Sequence, residues 1–353
     1  WSMVNFDAKG QRNNPYETAI SKKTVSSLQL TWHLDNLNDA PYSLQVSSPV
    51  VAGGVLYVGS RDGRFYARDA VTGKKLWTVK LGTWVAYPAA VANGIVYVPV
   101  IAAKRGKLKA LDAATGATLW TANFKDGAAG SPVVANGRVF QSAGGPNPLY
   151  AFDARTGRRL WKTDMYGGCW GAPAVSNGIV YTLSDHSLNA FSAATGAKLW
   201  EQDALVGGSD VGSAAVAGDK VYGDNTGATA AFDAATGALA WKVGAGPNTS
   251  PGIAVAKDRV YSLDAAGVIW NYDATSGAAS FISGQVGQHA SPTFANGILY
   301  TGSPDAVSAY DVKNGATLWS APLVAGVQAS PVIANGMLYV LSGGSLYAYG
   351  LKS

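Results

Sequence analysis

The sequence predicts an all-β chain folded as an eight-bladed β-propeller of four-stranded antiparallel blades, and three observations carry that expectation. A ten-residue phrase with an acid, a glycine four residues on and a tryptophan four beyond that recurs as "RDAVTGKKLW", "LDAATGATLW", "FDARTGRRLW", "FDAATGALAW" and "YDVKNGATLW", with the close variant "FSAATGAKLW". Each copy follows two short apolar runs joined by a turn dipeptide, often Asn-Gly, which favours a two-residue hairpin because both central positions need φ > 0. The copies return about every 40 residues, the spacing of four-stranded propeller blades. Composition agrees: only 14% of residues are charged, while 43 Gly, 17 Tyr and 11 Trp suit short, tightly turned strands. Disorder, coiled coils and helical solenoids are excluded.

Taken in order, residues 1–27 form a leading segment without strand alternation, and residues 28–36 ("LQLTWHLDN") read as one isolated strand. Blade one then shows the full unit: "SSPVVA", a "GG" turn, "VLYVGS", an "RDG" turn, "RFYARD", an "AVTG" turn and "KKLWTVKL". Seven further units begin at "YPAAVANGIVYVPV", "SPVVANGRVFQS", "APAVSNGIVYTL", "SAAVAGDKVYGD", "SPGIAVAKDRVYSL", "SPTFANGILYTG" and "SPVIANGMLYVL"; the sixth ends in a degenerate copy, "YDATSGAASF", with Phe281 in the tryptophan position. The eighth, "SPVIANGMLYVLSGGSLYAYGLKS", supplies three strands and lacks a tryptophan-bearing fourth. The strand at 28–36 carries Trp32 in the right place, so it is expected to complete that blade and close the ring without a long exposed edge. Residues 47–353 are then the blades, and residues 1–353 one domain.

The repeated phrase has a mechanical reading. Its acid accepts hydrogen bonds from turn N–H groups, its glycine takes the φ > 0 position, and its tryptophan packs from the outer strand against the neighbouring blade, where the indole N–H needs an acceptor. It is mortar, not catalysis.

A net charge of +5 is spread over local groups such as Lys104, Arg105, Lys107 and Lys109, which read as solvated turns, and no nucleic-acid partner is expected. One cysteine, Cys169, excludes an internal disulfide. No apolar run reaches the roughly 20 residues of a membrane helix. A chain that starts at Trp1 reads as a processed form of an exported monomer, extracellular or periplasmic, its signal removed.

Function is sought at the mouth where the inner strands begin. The positions just before those strands vary from blade to blade, whereas structural positions are monotonous. They give Trp84, Cys169, Trp170, Asp210, Asn248, His289 and Gln328 among others. Asp210 and Asn248 are oxygen donors suited to calcium, and Asp210 or His289 can act on a proton. Trp170, Trp84, Asn248, Gln328 and Cys169 are candidates to hold a flat cofactor or a sugar ring.

The recurring unit, with Asp69, Gly73 and Trp77 or Asp112, Gly116 and Trp120 as its fixed points, resembles the tryptophan-docking motif of the quinoprotein (PQQ-dependent) alcohol dehydrogenase superfamily and of PQQ-like repeat propellers generally, and the leading segment is similar to theirs. The resemblance implies two roles: a dehydrogenase holding PQQ and calcium in its funnel, or a non-catalytic scaffold such as that of the outer-membrane barrel-assembly machinery. Three features depart from the dehydrogenases. Cys169 is followed by Trp170 rather than a second cysteine, units of about 40 residues leave no long insertions for a substrate chamber, and no Cys-x-x-Cys-His haem site occurs. The sequence therefore leaves three functions open: a module binding a small-molecule, glycan or protein ligand at the funnel rim; a compact PQQ- and calcium-dependent dehydrogenase of an alcohol or sugar; or another funnel chemistry such as a lyase.

Overall fold

The computed structural model describes residues 1–35, 47–85, 87–102, 105–124, 127, 130–144, 148–165, 171–184, 187–203, 212–225, 228–244, 252–264, 267–283, 290–327 and 329–352. They form eight antiparallel sheets of four strands arranged as a propeller, with the innermost strands of successive blades side by side around the axis. Blade one is representative: Val50–Ala52, Val55–Gly59, Arg64–Asp69 and Lys75–Lys80 run from inside to outside, in the register Val50 to Tyr57, Tyr57 to Ala67, Ala67 to Trp77. In six blades the hairpin between the first two strands turns on residues with φ > 0 at both centres, as at Asn93 (51°) and Gly94 (73°), so the Asn-Gly signal has the geometry that its chemistry requires.

The outer strands join blade to blade. Trp77 Nε1 donates to the Ala113 carbonyl of blade two at 3.0 Å, Trp120 to Ala154 at 3.1 Å, Trp161 to Ala193 at 3.1 Å, and so on to Trp241 and Ala274 at 3.0 Å. The indole face lies on the next blade's turn glycine: a methyl on Gly116 would sit 2.7 Å from the Trp77 ring. Residues 118–120 and their counterparts also break register, since Trp120 pairs with Ala110 and Thr118 with Leu111, which leaves Leu119 as a bulge and half exposed. A bulge increases local twist and re-aims the following side chain, here the tryptophan, towards its neighbour.

Blade six departs from the sequence expectation. Phe281 stands in the tryptophan position yet is 62% exposed, because the bulge falls two residues later than in the other blades and buries Ile282 instead, against Gly315 of blade seven. Blade eight closes as anticipated, Leu28–Leu34 lying outside Ser345–Leu351, Met337–Ser342 and Val332–Ala334, with Leu28 opposite Leu351. Trp32 Nε1 reaches the Ala70 carbonyl of blade one at 3.2 Å, and Trp319 of blade seven reaches the Leu28 carbonyl at 3.0 Å. Blade seven has a fifth strand, the parallel pair Asn13–Asn14, on its inner edge.

Candidate functional site

That fifth strand belongs to a longer path. An inner strand is the edge of its sheet, and its outward N–H groups face the axis without a partner of their own. Residues 1–14 supply the partners in blade order. The carbonyls of Trp1, Ser2, Ala8, Lys9, Gln11 and Arg12 accept from the central N–H of Val51, Val91, Val175, Val216, Val255 and Phe294, in blades one, two, four, five, six and seven. Asn14 Nδ2 then reaches the Ile333 carbonyl of blade eight at 2.7 Å. The leading segment thus runs round the inside of the axial channel, sewn to its wall. It leaves between blades seven and eight, where Glu17, buried, accepts from Ala19, Ile20 and Gly336, and Lys22 pairs with Asp311.

Arg12 is the chemical centre of this arrangement. Its backbone adopts φ 51°, and its side chain, 5% exposed, turns towards the end of the channel where the inner strands begin. The Nη1 group donates to Ser330 Oγ of blade eight at 2.6 Å. Gly252 of blade six leaves the room that the guanidinium takes: a methyl there would stand 3.1 Å from Nε and 3.3 Å from Ser291 Oγ of blade seven. Burial pulls the Arg12 pKa down from its ordinary value to about 10, with the charge of Asp224, a buried residue of blade five, acting in the opposite sense. Among the described residues, Arg12 Nε, Ser291 Oγ and both side-chain polar atoms of Asn5 are buried without a hydrogen-bond partner. Buried polar groups in this state are met by ordered water or by a bound molecule.

A second cationic feature stands where blade one hands over to blade two. Trp84, the described member of the sequence candidates, pairs through its backbone with Ile101, and the Arg61 guanidinium lies 4.5 Å from the centre of its ring. This is a flat aromatic surface capped by a positive charge. The other candidates, Cys169, Trp170, Asp210, Asn248, His289 and Gln328, lie outside the described residues. The strands that follow four of them do converge: Asp224 lies in blade five, Gly252 four residues after Asn248, Ser291 two after His289, and Ser330 two after Gln328. Sequence reasoning did not single out Arg12 or Asn5, because both belong to the leading segment. The only signal there was the polar run Gln11–Asn14, which has no strand alternation. Among the described residues no three His, Cys, Asp or Glu side chains cluster as a metal site, and no helix is long and apolar enough to cross a membrane.

Eight antiparallel blades joined by docked tryptophans define the class of protein. The chain belongs to the PQQ-like β-propeller family. The family model described as outer membrane protein assembly factor BamB matches residues 104–230, 225–300 and 280–352, and the model of the glucose/ethanol/alcohol dehydrogenase β-propeller domain matches residues 1–119. Lupanine 17-hydroxylase [cytochrome c] of a Pseudomonas species is 38% identical over 81 residues, a stretch that spans 22% of this chain and only 11% of that relative. Among solved structures, the quinohemoprotein alcohol dehydrogenase of Comamonas testosteroni superposes with TM-score 0.81 at 18% identity, covering 100% of this chain and 81% of the other. BamB from Moraxella catarrhalis does so with TM-score 0.74 at 16% identity, over 92% of this chain and 99% of its own. At such identities the likeness is one of fold.

Proposed function

We propose that the protein is an exported binding propeller that takes an anionic small molecule in the mouth of its funnel, above the Arg12 guanidinium. The observation that carries this reading is the buried arginine with its Nε unpartnered beside Ser291 Oγ, which is likewise unpartnered. A guanidinium taken out of water is costly unless its charge and its donors are met. Asp224 supplies a counter-charge, and a carboxylate or carbonyl oxygen entering from the mouth would supply the missing acceptor. The exported location follows the outer-membrane assembly factor that gives the family model its description.

The Arg61–Trp84 stack favours one second reading, the dehydrogenase. PQQ is a flat quinone bearing carboxylates, so an aromatic surface under a guanidinium and orphaned donors at Arg12 and Ser291 fit its chemical class, and when bound it would supply the electron acceptor for oxidising an alcohol or sugar. In that reading Arg12 and Ser291 would hold its oxygens and Trp84 with Arg61 would border its ring. The calcium ligands would be Asp210 and Asn248, with Asp210 or His289 receiving the substrate proton.

The test is titration of the purified protein with a set of carboxylates, PQQ among them with and without calcium, followed by tryptophan fluorescence. One carboxylate should saturate the protein, and Arg12→Gln should weaken it by about 10- to 100-fold, the worth of a charge-assisted hydrogen bond, while thermal unfolding verifies that the variant is folded. Equal affinity in folded Arg12→Gln would overturn the site, and tight calcium-dependent binding of PQQ alone would favour the dehydrogenase.

A further inference from the structure

The net charge of +5 conceals a strong asymmetry around the ring. Residues 47–165, which make blades one to three, hold 16 Lys and Arg against 6 Asp and Glu, a net of +10. Residues 166–353 hold 7 against 12, a net of −5, and residues 1–46 hold 4 of each. Three consecutive blades are therefore strongly basic, and the other five together carry a net negative charge.

Among the described residues, few cations of the basic side are ion-paired with an acid. Half of its acids, Asp69, Asp112 and Asp153, spend their carboxylates on the N–H and hydroxyl groups of their own turns. Arg64 pairs with Asp62 and Lys162 with Asp164. Lys75, Lys107, Lys109, Arg158 and Arg159 have no acid within ion-pair distance among the described residues. Lys107 and Lys109 stand two apart on one face of the third strand of blade two, opposite Asn123 and Thr121, and partial burial and then the Lys107 charge both lower the Lys109 pKa. These cations diverge, because they sit on outer strands and turns of three separate sheets, so no compact anion can meet them together. Leu76 and Leu119, half exposed, lie among them. Leu199 and Leu239 of blades four and five are as exposed, so the aliphatic groups belong to the repeat and charge alone singles out blades one to three.

We propose that the perimeter of blades one to three is a docking face for an anionic lipid surface. A soft plane of negative headgroups can gather cations spread over three blades without a preformed groove. Long Lys and Arg stems and the interleaved leucines suit the boundary between headgroup and chain. The acidic remainder of the ring is repelled from the same surface, which fixes one orientation.

Vesicle sedimentation of the intact protein tests this, with phosphatidylglycerol at about 30 mol % in phosphatidylcholine against phosphatidylcholine alone. Binding should require the anionic lipid and vanish between about 0.05 and 0.5 M salt. Each removed cation should weaken it about fivefold. The combined variant Lys75→Glu, Lys107→Glu, Arg158→Glu, Arg159→Glu should then lose binding by several hundredfold or more, while Lys220→Glu with Lys242→Glu on blade five should leave it within about twofold; thermal unfolding establishes that both remain folded. Equal binding to neutral vesicles, or undiminished binding by the blade one to three variant, would overturn the proposal. So would binding to soluble heparin with none to anionic vesicles.

Discussion

The Ala154 carbonyl accepts two hydrogen bonds from the preceding blade, from Trp120 Nε1 and from Tyr97 Oη, each at 3.1 Å. The same convergence recurs at Ala113, Ala234 and Ala274, and at Ala70 across the closure. Sequence reasoning foresaw that each buried indole needs an acceptor, but not that the tyrosine of the second strand shares it, because that sharing depends on how neighbouring sheets stagger. A carbonyl with two donors keeps one when either is lost. Tyr97→Phe and Trp120→Phe should each cost about 1–2 kcal/mol. Only the double variant strips the buried oxygen, so its cost should exceed the sum by about 1 kcal/mol. Urea denaturation of the four proteins measures the coupling, and simple additivity would show that the two donors act independently.

The turn between the third and fourth strands is the element that repeats most faithfully, and its electrostatics set an acid limit on stability. The hydrogen bonds from the Thr or Ser three residues on, more than any nearby cation, hold Asp69, Asp112, Asp153, Asp233 and Asp273 below the ordinary carboxylate range. A carboxyl whose folded pKa is depressed stabilises the fold fully above its unfolded value, near 3.9, and loses that contribution as pH falls through the folded values. Denaturation midpoints should therefore be flat from about pH 5 to 7 and fall below about pH 4. Blade four is the internal control, because Ser192 stands where the acid should be and the Thr195 N–H reaches its hydroxyl only at 3.4 Å. Ser192→Asp should raise the melting temperature by about 1–2 °C at neutral pH and give nothing once that acid is protonated. The turn was legible because its chemistry is written in four consecutive residues. The bulge one step later was not, since Leu119 and its counterparts look like ordinary strand residues until the register is known, and blade six shows how one substitution moves it.

At the scale of the molecule, blade count, strand order and closure were legible because a repeat states its own period. The path of residues 1–14 was not, because it is recognised by the carbonyls of the main chain, which no side-chain pattern encodes. Its consequence for dynamics is specific: the amides of Val51, Val91, Val175, Val216, Val255 and Phe294 should exchange hydrogen slowly and together, although each lies on a sheet edge. Deleting residues 1–12 should release all six, and independent exchange of these amides in the intact protein would show that the segment is loosely held. The mouth candidates stood out only as residues that vary against a monotonous repeat, and Arg12 was not legible because it has no repeat to vary against. The closure of blade eight, finally, has a meaning in time. Leu28–Leu34 is synthesised early and its partner strand Ser345–Leu351 late, on the order of half a minute apart at ribosomal rates of 5–20 residues per second. Until then Trp32 has its acceptor, Ala70 of blade one, but not the strand that it pairs with, so the finished ring is an event that follows translation, and whatever shelters the early strand during that interval governs how much of the protein is made whole.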